Sequence, residues 1–235
     1  PRWTGSRVDV PALLAWYRSH RRPLPWRLEV SAYRTLVSEL MCQQTRIDTV
    51  LPYFAAFMAD FPTVEALAAA PTERVLERWS GLGYYSRARN LQRAAQAVVA
   101  GGGFPRTIEG LRALPGVGPY TAGAIGSIAF GLDAPVVDGT VERELASLHA
   151  IASPTKAWLW ATAGEALPPG EAGEYNQALM ELGATVCVPR GPKCLLCPLR
   201  SDCLGVAAPE RYPAAKVKKA IPRARALAAW IVRDG

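Results

Sequence analysis

The chain has 235 residues, half of them hydrophobic, with 27 basic against 20 acidic side chains and a net charge of +7. That length can bury a sizeable core as one domain or two small ones, and no apolar run nears the ~18 residues of a membrane span. Residues 1–7 do not resemble a signal peptide, so the expectation is a cytoplasmic protein whose basic surface meets an anionic partner such as nucleic acid.

Nearly every segment reads as helix, which makes the class all-α. Residues 10–17 form an amphipathic helix capped by Asp9, and residues 21–27 an extended basic loop broken by Pro23 and Pro25. Helical apolar spacing returns at 32–43, then at 48–59, 64–69 (capped by Thr63), 73–79 (capped by Thr72) and 86–100. Gly101-Gly102-Gly103 breaks the chain before Leu114-Pro115-Gly116-Val117-Gly118, an apolar turn that opens a buried helix at 122–130. Asp138 follows, between Val136-Val137 and the flexible Gly139. Helices are expected at 141–150, 156–166 and 175–185, a linker at 207–225 and a strand at 226–232.

Several constellations carry chemistry. A glycine turn at a helix start aims free N–H groups at the positive end of the helix dipole, so the backbone at Gly116, Val117 and Gly118 suits a phosphate. Glu39 lies among Leu36, Val37 and Leu40, where burial would raise its pKa and make it a general acid; a solvated outer face is the alternative. A protonated acid paired with an ionised carboxylate, here Asp138, breaks glycosidic bonds through an oxocarbenium-like state. In the stretch 81–90, Tyr84 and Tyr85 on a glycine turn precede Arg87 and Arg89, a set that could wedge into a base stack and grip phosphate. Gln43-Gln44-Thr45 is a polar break from which glutamine can reach into a duplex. His20 and His149 read as structural.

Four of the five cysteines are Cys187, Cys194, Cys197 and Cys203. Four thiolates fit a [4Fe–4S] cluster or a structural zinc; a single CxxC between longer gaps, with Pro198 behind a ligand, favours the cluster.

Taken together, LPWR (24–27), SELMCQQT (38–45), GLGYYSRARNL (81–91), LPGVGPYTAGAI (114–125), VDG (137–139), NQALMELGA (176–184) and the cysteine spacing resemble the helix–hairpin–helix DNA glycosylases of the endonuclease III superfamily, closest to the adenine DNA glycosylase branch. The resemblance implies a six-helix barrel domain at 28–137 and an iron–sulfur cluster domain from 1–27 and 138–206. It implies removal of adenine opposite 8-oxoguanine from double-stranded DNA, by a monomer associated with the nucleoid. Glu39 would protonate the adenine at N7 and Asp138 would stabilise the sugar cation. Trp26, Arg27, Cys42, Tyr120 and Glu181 would line the base pocket. Tyr84 and Gln44 would fill and probe the gap, with Gln43, Thr45, Arg87, Arg89 and Thr140 beside the DNA.

Tyr120 stands where bifunctional relatives carry a nucleophilic lysine, which implies little or no strand cutting. This sequence departs from the family at Cys42, usually leucine, and at Thr140, usually asparagine, and Asp48 adds an acid near the expected DNA face. A Nudix-like C-terminal domain is expected to be missing beyond its first strand at 226–235. A thymine or uracil mismatch glycosylase shares nearly all of these motifs, and a non-catalytic iron–sulfur DNA-binding module is the reading from another class.

Overall fold

Half of the twelve α-helices among the described residues start at a hydroxyl or carboxylate cap that accepts a free N–H group. The structure, a computed structural model, describes residues 8–215. Asp9 caps α1 (Val10–His20) by accepting from Ala12 N at 3.0 Å. Ser31 caps α3 (Ala32–Cys42) by accepting from Arg34 N at 3.1 Å. Between them stands α2 (Pro25–Leu28), one turn where the sequence reading expects extended chain. Pro25 sits at the first helical position, where the missing N–H costs nothing, so the proline that argues against a helix starts one.

Next come α4 (Ile47–Asp60), α5 (Val64–Ala69), α6 (Thr72–Trp79), α7 (Ser86–Ala100) and α8 (Ile108–Arg112). The last of these, capped by Thr107, is too short for periodicity to reveal. Thr72 does not cap α6: Pro71 holds that place, and the Thr72 hydroxyl donates instead to Gln92 Oε1. The chain continues through α9 (Pro119–Phe130), α10 (Gly139–Leu148), α11 (Lys156–Glu165) and α12 (Ala172–Thr185). Among the described residues there is no strand, and no helix long and apolar enough to cross a membrane. Part of the expected linker is tied down: residues 209–211 make a 3-10 turn and Ala214 N donates to Ala152 O at 2.7 Å. The expected strand at 226–232 lies outside the described residues.

Two hydrophobic cores form. The first joins Leu36, Val37, Leu40 and Met41 of α3 to Phe54 and Phe57 of α4, Trp79 of α6 and Leu91 of α7. The second joins Leu13 and Tyr17 of α1 to Val141 and Leu145 of α10 and to Tyr175, Leu179 and Leu182 of α12. Helix α9 separates them: Ala122 and Ile125 belong to the first core, Ala124 to the second. A helix apolar all round is one buried on every side. Each fully buried Leu or Phe contributes about 1.5–3 kcal/mol.

The segment after α9 is laid against it closely. A Cβ at Gly123 would collide with the Pro135 carbonyl oxygen, so only glycine lets the approach to Asp138 run there. Asn176 of α12 fixes the same segment, donating from Nδ2 to Ala134 O at 2.8 Å and to Ser127 Oγ at 2.9 Å.

Candidate active site and DNA face

A cavity of about 540 Å³ is lined by Trp26 and Arg27 of α2, Glu39 and Cys42 of α3, Gln43, Gln44 and Thr45, Tyr120 of α9, Asp138 and Thr140 at the start of α10, and Met180 of α12. The helix periods that bury each core leave these polar side chains at the seam between them. A second cavity, about 420 Å³ and lined by Arg143, Cys187 and Tyr212, holds neither Glu39 nor Asp138.

Glu39 projects from the last turn of α3. Burial is the main reason its carboxyl is pushed up from 4.5 to about 7; Asp138 adds to the rise, while the Tyr120 hydroxyl and Arg27 oppose it. Near neutral pH such a group holds or releases a proton readily. The Tyr120 hydroxyl is driven well above its ordinary value by burial and then by Glu39, so it stays protonated and able to donate. Burial also pushes the Cys42 thiol up to about 12, which makes it an inert part of the wall.

Asp138 is the N-cap of α10. Its Oδ1 accepts from Thr140 N at 2.9 Å and Val141 N at 2.8 Å, which fixes the carboxylate at the positive end of that helix. Its remaining oxygen, Oδ2, takes neither of these bonds.

The base-pocket residues divide. Trp26 lines the cavity and packs edge-on against Phe54, with ring centroids 5.0 Å apart. Glu181 is a correction: it is fully buried and lies behind the wall rather than in it. Arg22 Nε donates to it at 2.7 Å and Arg27 Nη1 at 2.7 Å, and Arg27 also lies over the Tyr17 ring. The carboxylate therefore sets two arginines against the cavity, and their guanidinium groups lower its pKa despite burial. Arg22 and Met180, both lining the cavity, were missed by the sequence reading; Arg22 stands in the basic stretch that opposes this glutamate.

The DNA-face residues also divide. Gln44 and Tyr84 are exposed, Tyr84 by 62%, and both adopt left-handed backbone, at φ 56° and 47°. Non-glycine residues held there store on the order of 1–3 kcal/mol of strain, a feature that clusters at functional sites. Arg89 is exposed, as expected. Arg87 is not: it is 7% exposed and turned inward, which corrects its expected grip on phosphate. In the hairpin Gly116 and Gly118 are exposed, and Gly116, at φ 76°, faces Asn90 so closely that a side chain has no room. Val117 is buried and its N–H donates to Leu114 O, so it cannot hold a phosphate from that group as expected.

Cys187, Cys194, Cys197 and Cys203 line one small cavity of about 30 Å³, together with Val186, Val206 and Pro209. Among the described residues no group of three or more His, Cys, Asp or Glu side chains is placed to hold a single metal ion.

The family profile described as "HhH-GPD superfamily base excision DNA repair protein" matches residues 37–169. Proteins named adenine DNA glycosylase are similar along most of the chain. That of Homo sapiens is 49% identical over 208 residues, covering 82% of this chain and 38% of its own length. That of Buchnera aphidicola subsp. Baizongia pistaciae (strain Bp) is 39% identical over 202 residues, covering 83% and 58%. The chain thus spans only 38% to 42% of the length of its mammalian relatives. Among solved structures, a thermostable thymine-DNA glycosylase superposes with TM-score 0.76 at 28% identity, covering 84% of this chain and 94% of that one. A non-covalent endonuclease III–DNA complex shares the fold, with TM-score 0.72 at 23% identity over 84% and 93% of the two chains. The profile takes in more than half of the residues, including Glu39, the glycine hairpin and Asp138, and the chain belongs to the HhH-GPD superfamily of base excision DNA repair proteins.

Proposed function

We propose that this chain is the catalytic portion of a DNA glycosylase that releases adenine paired with 8-oxoguanine or guanine. The observation that carries the reading is the pairing in one cavity: Glu39 with its pKa lifted to about 7, and Asp138 fixed by two backbone donors. The names of the similar glycosylases support adenine as the base. Flipping the nucleotide out of the stack costs a few kcal/mol, which Tyr84 and Gln44 offset by filling the gap. With the base in the cavity, Glu39 delivers a proton to N7, which makes adenine a neutral leaving group. The bond to C1′ then breaks with charge developing on the sugar, and the Asp138 carboxylate stabilises that cation until water adds.

The same wall supports base removal with little or no strand cutting. A Schiff base needs a lysine amine, and among the described residues no lysine lines the cavity; Tyr120 stands there instead. The four cysteines support a [4Fe–4S] cluster: they line one small cavity, and a single CxxC between longer gaps favours a cluster over zinc. Such a cluster, held by Cys187, Cys194, Cys197 and Cys203, would brace a loop that carries Lys193 and Arg200 toward an anionic partner.

The test is single-turnover base release from A·8-oxoguanine, A·G, T·G and U·G duplexes. Release from the first two supports the reading. Release confined to T·G or U·G would favour the second reading, a pyrimidine mismatch glycosylase, to which the thymine-DNA glycosylase likeness points.

A further inference from the structure

The buried guanidinium of Arg87 is the meeting point of three segments. Its Nη1 donates to Leu40 O and Met41 O, both at 2.9 Å, and to Gln43 O. Its Nη2 donates to Thr45 Oγ1 at 3.2 Å, Leu82 O at 3.1 Å and Gly83 O at 3.3 Å. Leu40 and Met41 lie at the C-terminus of α3, whose last carbonyls have no partner within the helix. Gln43 and Thr45 flank Gln44, and Leu82 and Gly83 precede Tyr84, whose ring lies 5.5 Å from the guanidinium. The two exposed left-handed residues therefore hang on one side chain, which also closes the end of the helix that bears Glu39.

We propose that Arg87 is a positioning residue for base extrusion: its fork holds Gln44 and Tyr84 in fixed register with each other and with α3, so that both enter the duplex together. This rests on the glycosylase reading. Arginine is required because a planar fork reaches acceptors on two sides at once, whereas the ammonium of lysine is a single point. Burial leaves the group no path to phosphate.

The test compares the 235-residue chain with Arg87→Lys on a duplex carrying 2-aminopurine at the target position, whose fluorescence rises as the base unstacks. Circular dichroism selects folded protein. The extrusion constant is expected to fall about tenfold, with adenine release falling in step, while the pH inflection of the release rate stays in place. Because Arg87 acts through Tyr84, the same change made in Tyr84→Ala should cost less than about twofold, the non-additivity of residues sharing one network. Unchanged extrusion, or the full loss repeated in Tyr84→Ala, overturns the proposal. So does a drop of about 0.9 in the slope of log affinity against log salt, which marks a lost phosphate contact.

Should Arg87→Lys not fold, Thr45→Val removes one acceptor of the fork, together with the hydroxyl's own bond to Gln43 O. Its loss of extrusion should vanish in Tyr84→Ala, and an equal loss in both backgrounds overturns the proposal. If extrusion falls as expected but the unmodified chain releases no adenine, Arg87 stands and the glycosylase reading fails.

Discussion

Glu39 and Asp138 face one cavity from opposite helix ends, Glu39 from the last turn of α3 and Asp138 from the N-cap of α10. The two ends have opposite polarity. A carboxylate at the start of α10 is stabilised by the dipole, while one at the end of α3 is not. The fold thus places two like groups in different surroundings, Asp138 held by backbone donors at a helix start and Glu39 buried at a helix end.

Burial of the Glu39 carboxyl has a measurable cost in stability. The Glu39 carboxyl binds a proton more tightly in the folded chain, about 7 against 4.5. Its stabilising contribution is fully present below about pH 4.5 and is lost as pH rises through about 7, on the order of 3 kcal/mol in all. Glu39→Gln should flatten the dependence of unfolding free energy on pH in that window. At pH 8 the variant should be the more stable protein in urea titrations.

Asp138 does two jobs that one substitution separates. Asparagine caps a helix about as well as aspartate, so Asp138→Asn should leave the thermal midpoint nearly unchanged while slowing base release by about 10²–10³-fold. Asp138→Ala should lose the same rate and also about 1 kcal/mol of stability. Equal midpoints for the two variants would contradict the cap assignment.

Gly123→Ala tests the close approach of residues 135–138 to α9. The new Cβ meets the Pro135 carbonyl, and backbone cannot swing aside as a flexible side chain does. A loss of about 1–3 kcal/mol is expected in thermal unfolding, together with slower base release, because Asp138 lies three residues beyond the clash.

Iron and acid-labile sulfide analysis of the purified chain checks the cysteine site. Roughly four of each per chain is expected, and Cys197→Ser should lower both. One zinc and no iron would replace the cluster with a single-ion site.

Much of the fold was legible because several helix starts carry real caps, such as Asp9, Ser31 and Thr63, and many helices end near proline or glycine. Pro25 misled because a proline at the first helical position gives up no hydrogen bond. The carboxyls of the site were legible for a related reason: an acid inside an apolar helix face is either paired or poised. Glu181 carries the same signal as Glu39, between Leu179 and Leu182, yet it proves to be paired, with Arg22 and Arg27. Sequence spacing cannot separate those outcomes, since both arginines come from some 150 residues away. Arg87 was misplaced in the same way: its acceptors are backbone carbonyls of other segments, and carbonyls leave no mark on a sequence.

The central claim is that Glu39 supplies the proton that frees adenine. Its most direct test is the single-turnover rate of adenine release from an A·8-oxoguanine duplex between pH 5 and 9, for the chain and for Glu39→Gln. The rate should be level on the acid side and fall about tenfold per unit above about pH 7, and Glu39→Gln should lose about 10²–10⁴-fold while still binding the duplex. A profile flat through pH 7, or a Glu39→Gln variant that releases adenine at the unmodified rate, would contradict it.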